Sequence, residues 1–272
     1  MRSTDDANAE FWNELCGSWM ARQLGITGRG PDEVARFDRA YFEFYPYLER
    51  YLAPHRLTDR AVLEIGLGFG SVGQRIAEAG ARYCAVDIAE GPLTMMAQRL
   101  LHIGAAPRVI RASAARLPFG EATFDDVISI GCLHHTGDVA GAVGEVHRVL
   151  KPGGRAVVML YNQFSYRQWL RFPIRTAAAL FADATPTPVD HDANERQRCA
   201  YDANSRGVAA PHTVFVSRRR IDDLFRDYHD VHVRTENCDD IIPGGGHLGL
   251  RRRLLGRAGS FGGLDLYVVA RK

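Results

Sequence analysis

Lysine is nearly absent from this 272-residue sequence: only Lys151 and Lys272 are lysines, and arginine supplies the other basic side chains. The formal net charge is only +2, so the overall field attracts neither nucleic acid nor an acidic membrane surface. Long apolar runs are missing too, since no stretch reaches the roughly twenty residues of a membrane helix. The N-terminus "MRSTDDANAEFW" lacks the apolar core of a signal peptide. We therefore expect a cytoplasmic protein without membrane or nucleic-acid partners.

Cysteine is scarce and unpaired. No two cysteines form a C-x-x-C pair, and their number is odd, which favours neither a disulfide framework nor a zinc site. The pattern fits a reducing cytosol, and we predict no metal site. The five cysteines are Cys16, Cys84, Cys132, Cys199 and Cys238.

From residue 60 onward, short apolar runs alternate with helical patterns. Such runs, apolar throughout, are typical of parallel strands covered on both faces. The order predicts an α/β, Rossmann-like, doubly wound and mostly parallel seven-stranded sheet, with its ligand at the carboxyl ends of the strands. The predicted strands are "AVLEIG", "RYCAVDI", "RVIRAS", "FDDVISIG", "RAVVMLY" after a "KPGG" turn, "VHVRTENC" and "LDLYVVARK".

Two segments interrupt this alternation and divide the chain into a 1–55 helical lid and a 56–272 main domain. In the lid, aromatic residues recur at helical spacing on both sides of Pro46, which should split the helix. We expect Tyr41 and Tyr45 to reach the ligand site, and an exposed aromatic helix here is a candidate homodimer contact. The second segment, 163–212, follows strand five and is too long for a simple connection. We expect this insertion to form an acceptor-binding pocket.

The stretch "AVLEIGLGFGSVGQ" at 61–74 contains two overlapping glycine motifs. Gly66, Gly68 and Gly70 form one, preceded by Glu64, and Gly68, Gly70 and Gly73 form a dinucleotide-type motif. Asp87 ends the second strand at a distance that suits a ribose diol in either case. A carboxylate at Glu64 would repel a pyrophosphate and favour a ligand that carries an amino group and a sulfonium.

The downstream sequence "ARLPFGEATFDDVISIGCLHHTGDVAGAVGEVHRVLKPGGRAVVMLYN" resembles class I S-adenosylmethionine-dependent methyltransferases. The resemblance is to the small-molecule type, of the methyltransferase-domain-11 kind, and runs from about residue 55 to the C-terminus. It implies methyl transfer to an oxygen, nitrogen or carbon atom of a metabolite, with S-adenosylmethionine as cofactor and S-adenosylhomocysteine as product. A biosynthetic role, including secondary metabolism, is consistent with it.

The resemblance also implies residue roles. The cofactor's methionine part would lie on the loop of Glu64, Gly66, Gly68 and Gly70, and its ribose on Asp87. Ile88 and the pair Ser113–Ala114 would flank the adenine, although the family often has Asp-Ala where this chain has Ser113-Ala114. Gly131 would lie along the cofactor.

Candidates for a general base are histidines, because histidine titrates near neutral pH. His134 and His135 follow strand four, and His212 lies in "APHT" after the insertion. An amine acceptor would need no base. Arginines of the insertion, Arg167 and its neighbours, are candidates to meet an acidic acceptor.

The sequence leaves other functions open. An RNA methyltransferase would use the arginine triplet that begins at Arg251, and an NAD(P)-dependent oxidoreductase would use the second glycine motif. A catalytically inactive cofactor-binding protein is the third alternative. The acceptor and the oligomeric state carry no motif that identifies them.

Overall fold

The computed structural model describes residues 3–14, 19–184, 191–238 and 262–272. Two features singled out in the sequence, Cys16 and the arginine triplet at 251–253, lie outside these ranges. Cys84, Cys132 and Cys199 are free thiols.

Seven strands form the main sheet, in the order β3-β2-β1-β4-β5-β9-β8. Strands β1 to β5 are parallel, whereas β9 lies antiparallel between β5 and β8. A further two-residue pair, β6 and β7, forms a small second sheet. The strands are β1 Ala61–Ile65, β2 Arg82–Asp87, β3 Val109–Arg111, β4 Phe124–Ile130, β5 Leu150–Tyr161, β6 His191–Asp192, β7 Val214–Phe215, β8 His229–Glu236 and β9 Asp265–Arg271. The predicted seven-stranded, mostly parallel α/β fold is confirmed.

Helices cover both faces of this sheet, and in the described ranges none is long and apolar enough to cross a bilayer. They are α1 Thr4–Phe11, α2 Trp19–Gln23, α3 Pro31–Phe44, α4 Leu48–Leu52, α5 Ser71–Glu78, α6 Glu90–His102, α7 Val139–Val149, α8 Tyr166–Arg171, α9 Pro173–Asp183, α10 Glu195–Cys199 and α11 Arg218–Leu224, with 3-10 turns at Pro54–Arg56 and Leu133–His135.

The strands of the sheet centre are buried on both faces. Along β1, Val62 and Leu63 belong to different apolar clusters, because successive side chains point to opposite faces. The Leu63 cluster packs under α7 and α11, and the Val62 cluster packs under α4, α5 and α6. The chain runs outward from β1 to β3 and then returns to β4 beside β1. The strand ends at β1 and β4 are therefore the topological switch point, where this class of fold binds ligands.

Two local predictions can be compared with the structure. The helix of the N-terminal segment is split around Pro46, as predicted, into α3 and α4. The predicted "KPGG" turn before strand five is wrong, because β5 already begins at Leu150. Gly153, with a φ of 75°, lets the chain bulge there, while its N–H still donates to the main-chain oxygen of Lys272 at 2.7 Å.

A buried ion pair fastens the N-terminal helices to the sheet domain. Arg99 of α6, almost wholly buried, donates to both carboxylate oxygens of Asp38 on α3, at 2.8 and 2.9 Å. The hydroxyl of Ser71, the first residue of α5, donates to the same carboxylate at 2.5 Å. Bidentate pairs of this kind hold both partners in one orientation, so α3 is docked onto α5 and α6.

Candidate active site

The turn between β1 and α5 depends on glycines in left-handed conformations. The φ angles of Gly66, Gly68 and Gly70 are 80°, 51° and 85°, values that side chains with a Cβ atom rarely adopt. A Cβ at Gly66 would also collide with the side chain of Cys132. The first of the two overlapping glycine motifs thus forms the turn itself.

Gly73, which completes the second motif, lies inside α5 and serves packing. A Cβ there would overlap the hydroxyl of Tyr83, the carboxyl of Glu64 and the sulfur of Met96. This glycine lets α5 approach the strands closely, so its presence carries no information about the ligand.

A cavity of about 160 Å³ opens where the first four strands end. We call it the strand-end cavity. Helix α1 closes one side of it with Asp5 and Asn8, and Trp12 follows at the end of that helix. Eight of the predicted site residues line it: Gly66, Gly68, Asp87, Ile88, Ser113, Ala114, Gly131 and His135.

Asp87 is the only carboxylate on the strand side of this cavity among the residues the structure describes. Its Oδ2 accepts from the N–H of Leu67 at 2.8 Å, and its Oδ1 accepts from the N–H of Ala89 at 2.9 Å. Burial raises the pKa of Asp87, while these main-chain donors lower it. Since an ionised carboxylate has about four acceptor positions, both oxygens retain capacity for a pair of ligand hydroxyls.

Asn8 supplies a second polar group to the strand-end cavity. Its Nδ2 donates to the main-chain oxygen of His135 at 2.7 Å. Its Oδ1 is buried and has no hydrogen-bond partner. Burying an unsatisfied acceptor costs free energy, so a ligand that donates a hydrogen bond here would be favoured. An amino acid–nucleoside ligand has donor groups for both the Asp87 carboxylate and Oδ1 of Asn8. The residues of the strand-end cavity therefore fit S-adenosylmethionine.

Glu64 does not line the strand-end cavity, contrary to the expectation from the sequence. Its carboxyl is buried beneath α5, and the hydroxyl of Tyr83 donates a hydrogen bond to it. Burial raises the pKa of Glu64 to about 8, so near pH 7 the group is largely neutral. Glu64 therefore does not present a negative charge that would repel a pyrophosphate in the strand-end cavity. Gly70 also lies outside the cavity lining, at the start of α5.

A second cavity, of about 210 Å³, adjoins the first, and Trp12, Ile130 and Gly131 border both. We call it the aromatic cavity. The predicted residues Tyr41 and Tyr45 lie here rather than at the first cavity, with ring centroids 5.0 Å apart. Its remaining lining is Trp19, Met159, Tyr161, Arg167, Tyr201, Asp202, Asn237, Leu264, Asp265 and Tyr267.

The three candidate histidines differ sharply in position. His135 lines the strand-end cavity, whereas His134 is fully buried between the rings of His135 and Tyr161 and lines neither cavity. Burial holds the pKa of His134 well below its usual range. The side chain of His212 points to Asp192, 3.6 Å away, and also lines neither cavity. Of the three, the structure brings only His135 to a ligand site.

The tautomer of His135 is determined by the main chain. Its Nδ1 lies 2.8 Å from the carbonyl oxygen of His212, so Nδ1 carries the proton and donates it. In the neutral ring, Nε2 then has the lone pair. Nε2 lies 3.6 Å from Oδ2 of Asp202, and that oxygen accepts from the hydroxyl of Tyr161 at 3.0 Å.

Burial acts on His135 and Asp202 in opposite directions. It lowers the pKa of His135, and the nearby Asp202 carboxylate opposes this effect. It raises the pKa of Asp202, and His135 opposes that. Each group therefore favours the charged form of the other. The pair stands beside Tyr161, with His135 facing the strand-end cavity and Asp202 facing the aromatic cavity.

Sequence reasoning did not assign Asn8, Trp12 or Asp202 to the site. The first two lie in a helical segment whose approach to the strand ends depends on tertiary packing. Asp202 lies in the insertion, where no motif marks it.

Comparison with known proteins places these observations in a family. Residues 63–158 match the model of a methyltransferase domain. A demethylmenaquinone methyltransferase of Tropheryma whipplei is 29% identical over 127 residues, which cover 44% of this chain and 52% of that protein. A ubiquinone biosynthesis O-methyltransferase of Azotobacter vinelandii is 29% identical over 149 residues, covering 53% and 62%. The chain thus spans about half the length of the curated relatives it matches.

The fold extends beyond the matched domain. A SAM-dependent methyltransferase structure from Methanosarcina mazei superposes with a TM-score of 0.56 at 17% identity, covering 84% of this chain and 97% of the other. The domain match includes β1, with Glu64 and the glycine turn, Asp87 and most of β5. Residues 63–158 therefore match a methyltransferase domain, and they supply most of the lining of the strand-end cavity.

Proposed function

We propose that this protein transfers a methyl group from S-adenosylmethionine to an oxygen, nitrogen or carbon atom of a small-molecule metabolite. One observation carries the proposal: the strand-end cavity and the aromatic cavity meet at Trp12, Ile130 and Gly131. A donor in the first cavity and an acceptor in the second would share one border. Holding two reactants in contact is the main requirement of a displacement reaction, and it is worth several kcal/mol.

The donor side would be held by groups already described. Asp87 would accept the ribose hydroxyls, and Ile88 and Ala114 would enclose the adenine. Gly66 and Gly68 would allow the main chain to approach the ligand closely. When bound, S-adenosylmethionine supplies an electrophilic methyl group on a sulfonium centre. Glu64 would act on the cofactor through the loop it supports, since its carboxyl faces Tyr83.

His135 would hold the proton that the acceptor loses. Its main-chain contact at Nδ1 leaves Nε2 as the accepting nitrogen, and the pKa lowered by burial keeps the ring neutral near pH 7. Asp202 and Tyr161 would orient the ring from the acceptor side. A positioned base contributes about 10²- to 10⁴-fold to such a reaction.

The acceptor would enter the aromatic cavity, with residues 1–55 acting as a lid and the 163–212 insertion forming its far wall. Trp12, Tyr41 and Tyr45 come from the former, and Arg167, Tyr201 and Asp202 come from the latter. The aromatic walls favour a planar acceptor. The names of the relatives, a demethylmenaquinone and a ubiquinone-biosynthesis methyltransferase, support a ring-bearing metabolite. The free thiols of Cys84, Cys132 and Cys199 support a cytoplasmic location.

Calorimetry with S-adenosylhomocysteine tests the donor site directly. We expect roughly micromolar binding and a loss of about 10- to 100-fold in affinity for Asp87→Asn, since hydrogen bonds to a charged group are each worth about 1.5–3 kcal/mol. Asp125→Asn, a carboxylate paired with Lys151 at the opposite end of β4, is the matched control and should bind normally. Absence of heat with S-adenosylhomocysteine, together with binding of reduced nicotinamide dinucleotide, would replace this proposal with hydride transfer.

Transfer itself is tested with isotopically labelled methyl donor and a metabolite extract. Label should appear in a small molecule that mass spectrometry then identifies. Label that appears only in RNA, or binding of the donor without any transfer, would contradict the small-molecule assignment.

A further inference from the structure

Helices α8 and α9 of the insertion carry a concentrated apolar surface. Of the eight large hydrophobic side chains exposed in the described ranges, five lie within thirteen consecutive residues of these helices. Leu170, Ile174 and Phe181 are 72%, 85% and 78% exposed. Exposed apolar groups are ordinary when scattered, but a contiguous group marks an interaction site. We call Trp169, Leu170, Ile174, Leu180 and Phe181 the insertion patch.

Helical geometry places much of this patch on one side. Ile174, Ala178 and Phe181 are exposed and follow the i, i+4, i+7 spacing of one helix face. On the other side, Thr176 is buried, and its hydroxyl donates to the main-chain oxygen of Gln168 at 3.0 Å. The helix pair is therefore anchored inward through its polar side chains and presents its apolar face outward.

The charged side chains within the patch segment are arginines. Residues 163–182 contain three arginines and no acidic residue. At the edges of this segment, Asp183 ends α9 and accepts from the hydroxyl of Ser217 at 2.6 Å, and the exposed Asp192 lines the same surface pocket as Arg175.

Arg167 turns inward, with its guanidinium over the Tyr201 ring and a hydrogen bond to the main-chain oxygen of Ala200. Arg171 and Arg175 are exposed beside the apolar side chains, and Nε of Arg175 also donates to Oε1 of Gln197 at 3.0 Å. An apolar face flanked by arginine, with a tryptophan among its residues, has the composition of helices that lie in a membrane interface.

We propose that the insertion patch docks onto the surface of an anionic phospholipid bilayer, with its apolar side chains among the acyl chains and Arg171 and Arg175 at the headgroups. Charge decides between this occupant and a second copy of the chain. A two-fold interface would bring the same patch together with itself, and would place like-charged arginines near one another around a low-dielectric contact. Anionic headgroups pair with them instead. This surface contact revises the expectation of no membrane partner, and it needs no spanning helix.

Helix α8, which carries Trp169 and Leu170 of the patch, also reaches the aromatic cavity through the inward side chain of Arg167. Under the proposed function, an apolar acceptor dissolved in the bilayer would thus enter beside the docked helices. The docking itself does not depend on that function, and its test requires neither cofactor nor acceptor.

The test is flotation of the full chain with vesicles of phosphatidylcholine alone or with phosphatidylglycerol. We expect binding to the anionic vesicles, at least tenfold weaker binding to the neutral ones, and release by high salt. The triple variant Leu170→Ser, Ile174→Ser, Phe181→Ser should lower the bound fraction at least tenfold. Leu101→Ser and Val208→Ser remove exposed apolar side chains elsewhere, 64% and 54% exposed, and should bind as the parent does. Thermal melting confirms that each variant is folded.

Two results would overturn the proposal. One is equal flotation of the triple variant and the two controls, or no flotation of the parent. The other is self-association of the parent in sedimentation equilibrium that the triple variant abolishes, with no vesicle binding, since the patch would then be an interface between copies.

Discussion

The Nε2 atom of His135 lies 3.6 Å from Oδ2 of Asp202, and these residues, 67 positions apart in the chain, link the two cavities. His135 follows β4, at the switch point of the sheet, whereas Asp202 belongs to the insertion. The pair unites the domain that would hold the donor with the segment that would hold the acceptor.

This relationship predicts a shift in the titration of His135. Asp202 favours the protonated ring, so Asp202→Asn should lower the pKa of His135 below its value in the parent. Nuclear magnetic resonance of the imidazole protons measures this without an acceptor. Ser113→Ala, which alters the same cavity without touching the pair, should leave the titration unchanged. An unchanged or raised pKa in Asp202→Asn would show that the two groups are not coupled.

His135 of this pair should also affect the rate of methyl transfer. Once an acceptor is known, His135→Gln should reduce kcat about 10²- to 10⁴-fold if the acceptor must lose a proton. Affinity for S-adenosylhomocysteine should change only a few-fold, because His135 borders the cavity without an acidic or cationic contact to the ligand. A variant that keeps full kcat would indicate an acceptor, such as an amine, that needs no base.

Glu64 should make the stability of the protein depend on pH. Its pKa is about 8 in the folded state and about 4.3 in an unfolded chain, so the folded state binds more protons between these values. Its contribution to the free energy of unfolding is therefore present at low pH and is lost as pH rises toward 8, by up to about 1.4 kcal/mol per pH unit. Urea denaturation at pH 5 to 8 should show this slope, and Glu64→Gln should reduce it. Equal slopes in the parent and in Glu64→Gln would mean that the Glu64 carboxyl is already ionised in the folded protein over this pH range.

Two glycines in helices should respond oppositely to alanine. Gly73→Ala places a Cβ against Tyr83, Glu64 and Met96 and should lower the free energy of unfolding by about 1–3 kcal/mol. Gly144→Ala, in α7, meets nothing within 4 Å and should raise it by about 0.5–1 kcal/mol. Denaturant titration of both variants measures the two changes in the free energy of unfolding. A neutral Gly73→Ala would show that α5 can move away from the strands.

The ion pair of Asp38 and Arg99 should be worth more than a surface pair. Asp38→Asn leaves the buried guanidinium without its charge partner and should cost about 1–3 kcal/mol of stability. The pair of Glu49 and Arg75, with both side chains more than 40% exposed, is the control, and Glu49→Gln should change stability by less than about 1 kcal/mol. Limited proteolysis should also cut the N-terminal helices faster in Asp38→Asn. Equal effects of the two substitutions would show that the buried pair does not anchor α3.

Local sequence determined the succession of strands along the chain, the glycine turn and Asp87. These follow from apolar runs, glycine spacing and the distance along the chain from the turn to the next strand end, all of which are short-range properties of a doubly wound fold. Pro46 likewise splits the N-terminal helix where the sequence indicates. The "KPGG" prediction is wrong because Gly153 and Gly154 exchange main-chain hydrogen bonds with Lys272, which follows β9 and is more than a hundred residues away.

Tertiary structure alone decided the direction of side chains and the meeting of distant segments. The side chain of Glu64 points away from the strand-end cavity, which is possible because β1 is buried on both faces. Its hydrogen-bond partner, Tyr83, belongs to another strand, β2. His134 and His135 are adjacent in sequence, yet only His135 reaches a cavity, because the turn after β4 points their side chains differently. Asn8, Trp12 and Asp202 join the site through packing over the strand ends. A linear pattern reports periodicity and spacing, whereas burial and proton sharing depend on which segments the fold brings into contact.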